Sequence, residues 1–137
     1  MRILGLDLGS KTLGISVSDA LGMIARPVET IRFESDDYDS AYEQLQKYIK
    51  EFQITTIVLG LPKHMNGDVG IRGNISVQFK EKLEAQGLHV VLWDERLTTV
   101  AAQKILISAD VSRKKRKKII DQMAAVQILQ SYLDSKY

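Results

Sequence analysis

The segment Met1–Asp19 reads MRILGLDLGSKTLGISVSD and holds two short apolar runs with the alternation of β-strands. Side chains alternate between the two faces of a strand, so the leucines of the first run share one face, and its glycines share the other face with Asp7. The second run repeats the pattern, with Leu, Ile and Val opposite Gly and Ser. A half-buried carboxylate is costly without a cation or a donor, so Asp7 predicts a ligand on this nearly bare face.

Length and composition narrow the class of protein. A chain of 137 residues predicts one domain, residues 1–137, with a single core. It has no run of 18 apolar residues, so no membrane-spanning helix and no membrane partner are expected. Zero cysteines exclude disulfides and thiolate metal ligands. Together with the lack of a secretory leader, this favours a cytoplasmic location.

The hydrophobic periodicity predicts an α/β fold. The predicted elements, in chain order, are strands over 3–9, 13–19 and 23–31, a helix ending near Phe52, a strand over 56–61, a helix over 75–86, a strand over 89–93, and helices over 98–108 and 117–133. This order indicates an antiparallel meander followed by strands added parallel to the first, in a mixed sheet. Pro27 cannot donate to a strand ladder, so we expect the third strand at a sheet edge.

Three carboxylates are expected to meet at one end of this sheet. If the first, fourth and fifth strands are parallel, Asp94 and Glu95 emerge on the same side as Asp7. Asp121 shares a stripe of the last helix with two alanines and Ile128. Small alanines allow close approach, so this helix is expected to cross the bare glycine and serine face and bring Asp121 to Asp7.

Carboxylates held close together repel one another unless cations neutralise them. A cluster of oxygen ligands suits Mg²⁺ or Mn²⁺ better than zinc. Two such ions, about 4 Å apart, suit an in-line displacement at phosphorus. The pattern therefore predicts a site that hydrolyses phosphodiester bonds with two divalent ions.

The basic residues are unevenly distributed. Of the 19 Lys+Arg, six are consecutive, which leaves 13 against 17 Asp+Glu in the rest of the chain. The run consists of Arg113, Lys114, Lys115, Arg116, Lys117 and Lys118. It predicts contacts with a polyanion, although a solvated loop is the alternative. Lys117 lies one helical turn before Asp121, so the run is expected to grip phosphates that flank the scissile one.

Four motifs resemble the YqgF/RuvX family of Holliday-junction-resolvase-like proteins. They are DLGSKTLGIS with Asp7, VLGLP, DERLTT with Glu95, and KIIDQMAAVQILQSYL with Asp121, in that order along nearly the whole chain. The resemblance implies an RNase H-like fold with a five-stranded mixed sheet, and a metal-binding triad of Asp7, Glu95 and Asp121. It also implies a nuclease that matures the 5′ end of the 16S ribosomal RNA precursor. Asp94 is the less favoured acid of its pair.

Further basic residues are candidates for nucleic-acid contacts. Lys11 lies at the tip of the first hairpin, Arg72 in the loop over 62–74, and Arg96 directly after Glu95. Each has a structural alternative: solvation for Lys11, a surface ion pair for Arg72, and bracing of the carboxylates for Arg96. His64 could donate a proton to the leaving oxygen. The motif KHMNG and the dense basic run depart from the family pattern and could alter substrate preference.

The leading function is a metal-dependent endonuclease that acts on structured RNA, with pre-rRNA or the ribosome favoured over DNA junctions as partner. A second interpretation keeps the fold and makes the substrate a four-way DNA junction, for which a symmetric dimer is expected; monomer and homodimer both stay open. A third interpretation is an ATP-binding domain of the actin and sugar-kinase type, whose phosphate loop DLGSKTLGIS also resembles. A fourth is a non-catalytic RNA-binding module.

Overall fold

The computed structural model describes residues 1–62, 70–98 and 113–136, and for 113–122 it describes the helix but not the side chains. The elements are β1 Ile3–Leu8, β2 Thr12–Ser18, β3 Ala25–Arg32, α1 Tyr38–Glu51, β4 Thr56–Leu61, α2 Ile71–Ala85, β5 His89–Asp94, a short 3₁₀ helix Glu95–Leu97, and α3 Arg113–Asp134. The helix predicted over 98–108 lies outside the described residues from position 99 onwards.

The strands form one five-stranded sheet in the order β3-β2-β1-β4-β5. The first three strands pair antiparallel, whereas β4 pairs parallel with both β1 and β5. The predicted mixed sheet with an initial meander is therefore confirmed. Pro27 lies on β3, which is an edge strand as expected.

Helices cover both faces of the sheet. The leucine face of β1 packs with α1 and α2, through buried residues such as Leu45 and Phe79. The glycine face packs with α3, whose Ala124, Ile128 and Leu129 are buried there. The structure therefore has a hydrophobic cluster on each face of the sheet and not the single core expected, because α3 covers the glycine face as its alanines indicated.

Two helices begin earlier than the periodicity predicts. Helix α2 starts at Ile71, so Arg72 lies in its first turn and not in a loop. Periodicity does not reveal this start because the first turn carries no apolar stripe, and Ile71 itself is 81% exposed. Helix α3 starts at Arg113, within the basic run, where no apolar periodicity exists to reveal a helix. The basic run is therefore helical and not the loop considered as the alternative.

Candidate active site

Asp7 lies near the carboxyl end of β1 on the face that carries few side chains. It is half-buried and pairs across the sheet with Gly14 of β2. On the other side, the register of β1 with β4 ends at Leu6 and Leu59, so the next step along both strands places Gly60 beside Asp7. Asp7 therefore has a glycine on each neighbouring strand, and the Gly60 glycine lets Ile128 and Glu95 lie close to the sheet beside Asp7.

Glu95 reaches the same area from the far side of β4. It is the first residue of the 3₁₀ helix after β5. A Cβ atom at Gly60 would lie 3.4 Å from both Cγ and Cδ of Glu95, so the Glu95 side chain lies over this glycine. Neighbouring strands are about 4.8 Å apart, so the side chains of Asp7 and Glu95 approach the same area from either side of Gly60.

Helix α3 packs directly on the bare face. A Cβ atom at Gly5 would lie 2.6 Å from Leu129 Cβ and 3.1 Å from the carbonyl oxygen of Ala125. The Ser16 hydroxyl donates a hydrogen bond of 2.8 Å to that same carbonyl. The glycines and serines of β1 and β2 therefore form the surface on which α3 packs.

Asp121 precedes Ala125 by one turn of α3, about 6 Å along the axis. Towards the other end of the helix, Gln130 Oε1 accepts a hydrogen bond from the backbone N–H of Ala25. Ala25 begins β3 and lies at the end of the sheet opposite to Asp7. The backbone of Asp121 therefore lies on the Asp7 side of Ala125. Its side chain is outside the described part. Within the described ranges, which lack that carboxylate, no group of three His, Cys, Asp or Glu side chains could hold a metal ion.

Asp94 binds Arg96 and begins the turn that carries Glu95. Its carboxylate accepts a hydrogen bond of 2.9 Å from the Arg96 backbone N–H and pairs with the guanidinium at 2.7 Å. The hydrogen bond between the guanidinium and this carboxylate raises the pKa of Arg96. The bracing expected of Arg96 is confirmed at Asp94. A contact between Arg96 and nucleic acid stays a prediction.

Arg72 lies beside the end of β1 and is partly buried. Its Nη2 donates to the carbonyl oxygen of Leu8, and its Nη1 donates to the hydroxyl of Tyr38, each at 3.1 Å. Burial, together with the hydrogen bond to Asp36, raises the pKa of Tyr38. In the described part of the chain, Arg72 contacts two neutral acceptors, and the surface ion pair considered for it is not seen there. Periodicity could not reveal this role because Tyr38 is distant in sequence.

The remaining candidates divide into two groups. Lys11 is exposed in the turn between β1 and β2, which agrees both with solvation and with a nucleic-acid contact, so that contact stays a prediction. His64 and the side chains of the basic run, 113–118, lie outside what the structure describes. The sequence placed Gly60 in the motif VLGLP but gave it no role in the site. Its position beside Asp7 and beneath Glu95 is known only from the structure.

The fold of this protein is shared with solved structures of resolvases. Over 99% of this chain and 96% of the other, the structure superimposes on Thermus thermophilus RuvC, solved in complex with a Holliday junction substrate, with a TM-score of 0.62 at 12% identity. Such a likeness shows the fold, which is RNase H-like. The family model RuvX, described as Holliday junction resolvase, matches residues 1–135, and the chain belongs to that family.

Relatives in two bacteria cover almost the full length. A Bacillus subtilis protein is 58% identical over 136 residues, which is 98% of this chain and 99% of the relative. One from Geobacillus sp. (strain WCH70) is 56% identical over 137 residues, 99% of each chain. Both carry the name "Putative pre-16S rRNA nuclease". The resemblance found in the four motifs is therefore confirmed.

Proposed function

We propose that this protein is a divalent-metal-dependent endonuclease that cleaves structured nucleic acid with Asp7, Glu95 and Asp121. The observation that carries the proposal is the position of Glu95 over Gly60, on the strand next to Asp7. An acid of β1 and an acid directly after β5 then lie on either side of Gly60. Carboxylates that approach the same area favour the binding of a cation, because it offsets their like charges.

The donor set suits hard divalent cations. Carboxylate oxygens are the ligands that Mg²⁺ and Mn²⁺ prefer. Asp7, Glu95 and Asp121 would hold one or two ions, which when bound supply Lewis acidity and a nucleophile at neutral pH. Helix α3 supports Asp121 through its close packing on Gly5. The glycine at position 60 lets the Glu95 side chain lie against the sheet next to Asp7.

The substrate we propose is the precursor of 16S ribosomal RNA, cleaved near its 5′ end. The relatives named for that activity are more than half identical to this chain over nearly all of its length. The proposed contacts to the RNA backbone come from Lys11, Arg96 and the basic run 113–118. Their charges oppose the otherwise acidic remainder of the chain.

The substitution Asp7→Asn tests the proposed activity. It keeps the shape of the side chain and removes the charge, so cleavage of labelled precursor RNA in Mg²⁺ or Mn²⁺ should fall below detection. RNA affinity, measured without divalent ions, should change little because the basic residues remain. Glu43→Gln, which removes one exposed acid of α1, is the matched control and should cleave normally. Equal activity in Asp7→Asn would refute the assignment.

A four-way DNA junction is the second candidate substrate. It is favoured by the family description and by the fold shared with a junction-bound RuvC. Cleavage of a synthetic junction and of a precursor fragment, compared at equal concentration and salt, separates the two. Preference for the junction, with a dimer in solution, would replace the RNA proposal.

A further inference from the structure

A chain of hydrogen bonds joins the end of β1 to both helices on the leucine face. Asp36 accepts from the hydroxyl of Tyr38 at 2.9 Å, and that hydroxyl accepts from Arg72 Nη1 at 3.1 Å. Arg72 Nη2 then donates to the carbonyl oxygen of Leu8 at 3.1 Å. The guanidinium therefore connects the first turn of α2 and the start of α1 to the residue that follows Asp7.

The Leu8 carbonyl lies at the end of β1, where a side chain can supply its hydrogen-bond donor. The parallel ladder between β1 and β4 ends at Leu6, so Leu8 lies two residues beyond it. A strand carbonyl at a half-buried end costs free energy when it has no donor. The fixed fork of an arginine can serve two acceptors at once, whereas a lysine ammonium acts as a point charge.

The segment between β3 and α1 also holds the turn between β1 and β2. The backbone N–H of Asp36 donates to the Ser10 carbonyl at 2.7 Å, and that of Phe33 donates to the Lys11 carbonyl at 3.0 Å. The end of β1 is thus held by Arg72 and by the chain that precedes α1. Asp7 lies inside this frame, one residue before Leu8.

We propose that Arg72 is a positioning residue for Asp7, acting through the Leu8 carbonyl. This inference rests on the proposed function, since it assigns Arg72 to the support of a metal-binding carboxylate. It differs from the phosphate contact expected from the sequence, because two of the guanidinium's N–H groups are directed to protein acceptors. Groups that orient a ligand commonly affect metal affinity and turnover about 10- to 100-fold.

The test compares Arg72→Gln with Arg32→Gln. Arg32 is exposed at the end of β3, beside Thr12, so its substitution removes the same charge near the same end of the sheet. Three quantities are measured: Mn²⁺ affinity by electron paramagnetic resonance, RNA affinity without divalent ions, and kcat and KM for cleavage. For Arg72→Gln we expect weaker Mn²⁺ binding and a lower kcat, each by about 10-fold. We expect both variants to have equal RNA affinity.

Lysine distinguishes positioning from charge alone. Arg72→Lys keeps the charge but can reach only one of the two acceptors, so it should restore part of the lost Mn²⁺ affinity. If Arg72→Gln weakens RNA binding and leaves Mn²⁺ affinity and kcat unchanged, Arg72 contacts phosphate and the proposal is wrong. A fall in melting temperature without a change in Mn²⁺ affinity would also overturn it, because the role would then be structural.

Two further measurements keep the inference separable from folding and from the proposed function. If Arg72→Gln does not fold, Tyr38→Phe removes only the hydroxyl that accepts from the guanidinium, and a smaller loss of Mn²⁺ affinity in the same direction is expected. No loss in Tyr38→Phe would then count against the proposal. If the wild-type protein cleaves no RNA, the proposed function fails, while the Mn²⁺ comparison still decides the role of Arg72.

Discussion

At the scale of single residues, the site depends on positions where a side chain is missing. Gly5 lies beneath α3, and an added Cβ would meet Ser16 Oγ and would lie 2.6 Å from Leu129 Cβ. Leu129 Cβ is bonded directly to the helix backbone, and Ser16 Oγ is held by its hydrogen bond to the Ala125 carbonyl, so the helix would have to move. We expect Gly5→Ala to lower the free energy of unfolding in urea by about 1–3 kcal/mol or more. The kcat for cleavage should also fall in the folded variant, because a shift of α3 moves Asp121.

Gly60→Ala is the matched control for this effect. Its added Cβ would meet mainly Ile128 Cδ1, at 2.5 Å, which is the end of a flexible side chain. The cost should be smaller than at Gly5, and the double variant Gly60→Ala/Ile128→Val should recover stability because Cδ1 is removed. If Gly60→Ala proves as costly as Gly5→Ala, the packing explanation for Gly5 is wrong.

At the scale of elements, the 3₁₀ helix after β5 presents Glu95. Asp94 supports this turn, because its carboxylate binds both the backbone and the guanidinium of Arg96. Asp94→Ala removes both interactions and should cost about 1 kcal/mol of stability, as the loss of a helix cap does. Cleavage should fall because the turn no longer fixes Glu95. The measurements are urea unfolding and kcat.

Asp94→Asn separates support of the turn from metal binding. The amide oxygen can still accept from the Arg96 backbone, and losing an ion pair that is partly exposed to solvent has a small effect on stability. This variant should therefore keep most of its activity. If Asp94→Asn were as inactive as Asp7→Asn, Asp94 and not Glu95 would be the metal ligand.

The elements also show how far sequence periodicity carries. Alternation in β1 and β2 predicted the bare face, and the alanines of the last helix predicted what covers it, since both are patterns within one element. Periodicity does not reveal the first turn of α2, because Ile71 points to solvent. Nor does it reveal the partners of Arg72, which come from β1 and α1. Hydrogen bonds between distant segments leave no periodic signal.

At the scale of the whole molecule, the parallel order of β1, β4 and β5 brings acids from distant parts of the chain to one end of the sheet. The sequence could predict this convergence because connection rules restrict strand order. It could not predict the local geometry, such as the glycine between Asp7 and Glu95. None of the helices in the described ranges is long and apolar enough to cross a membrane.

The distribution of charge gives a prediction about the salt dependence of RNA binding. Six consecutive basic residues of α3 lie three to eight residues before Asp121, while the remaining chain has more acids than bases. Each phosphate contact contributes about 0.7–0.9 to the slope of log affinity against log salt concentration. Substituting Lys114 and Lys115 by Gln should therefore reduce the magnitude of that slope by up to about 1.8. Binding at low salt should weaken accordingly.

Lys47→Gln with Lys50→Gln is the matched control for charge. Both lysines are exposed on α1, which covers the opposite face of the sheet from α3. A general effect of net charge would lower the slope equally in both double variants, because each removes two positive charges. A contact surface on α3 would lower it only for Lys114 and Lys115. Equal slopes in the two variants would therefore contradict a phosphate-binding role for the basic run and leave it as a solvated part of the helix.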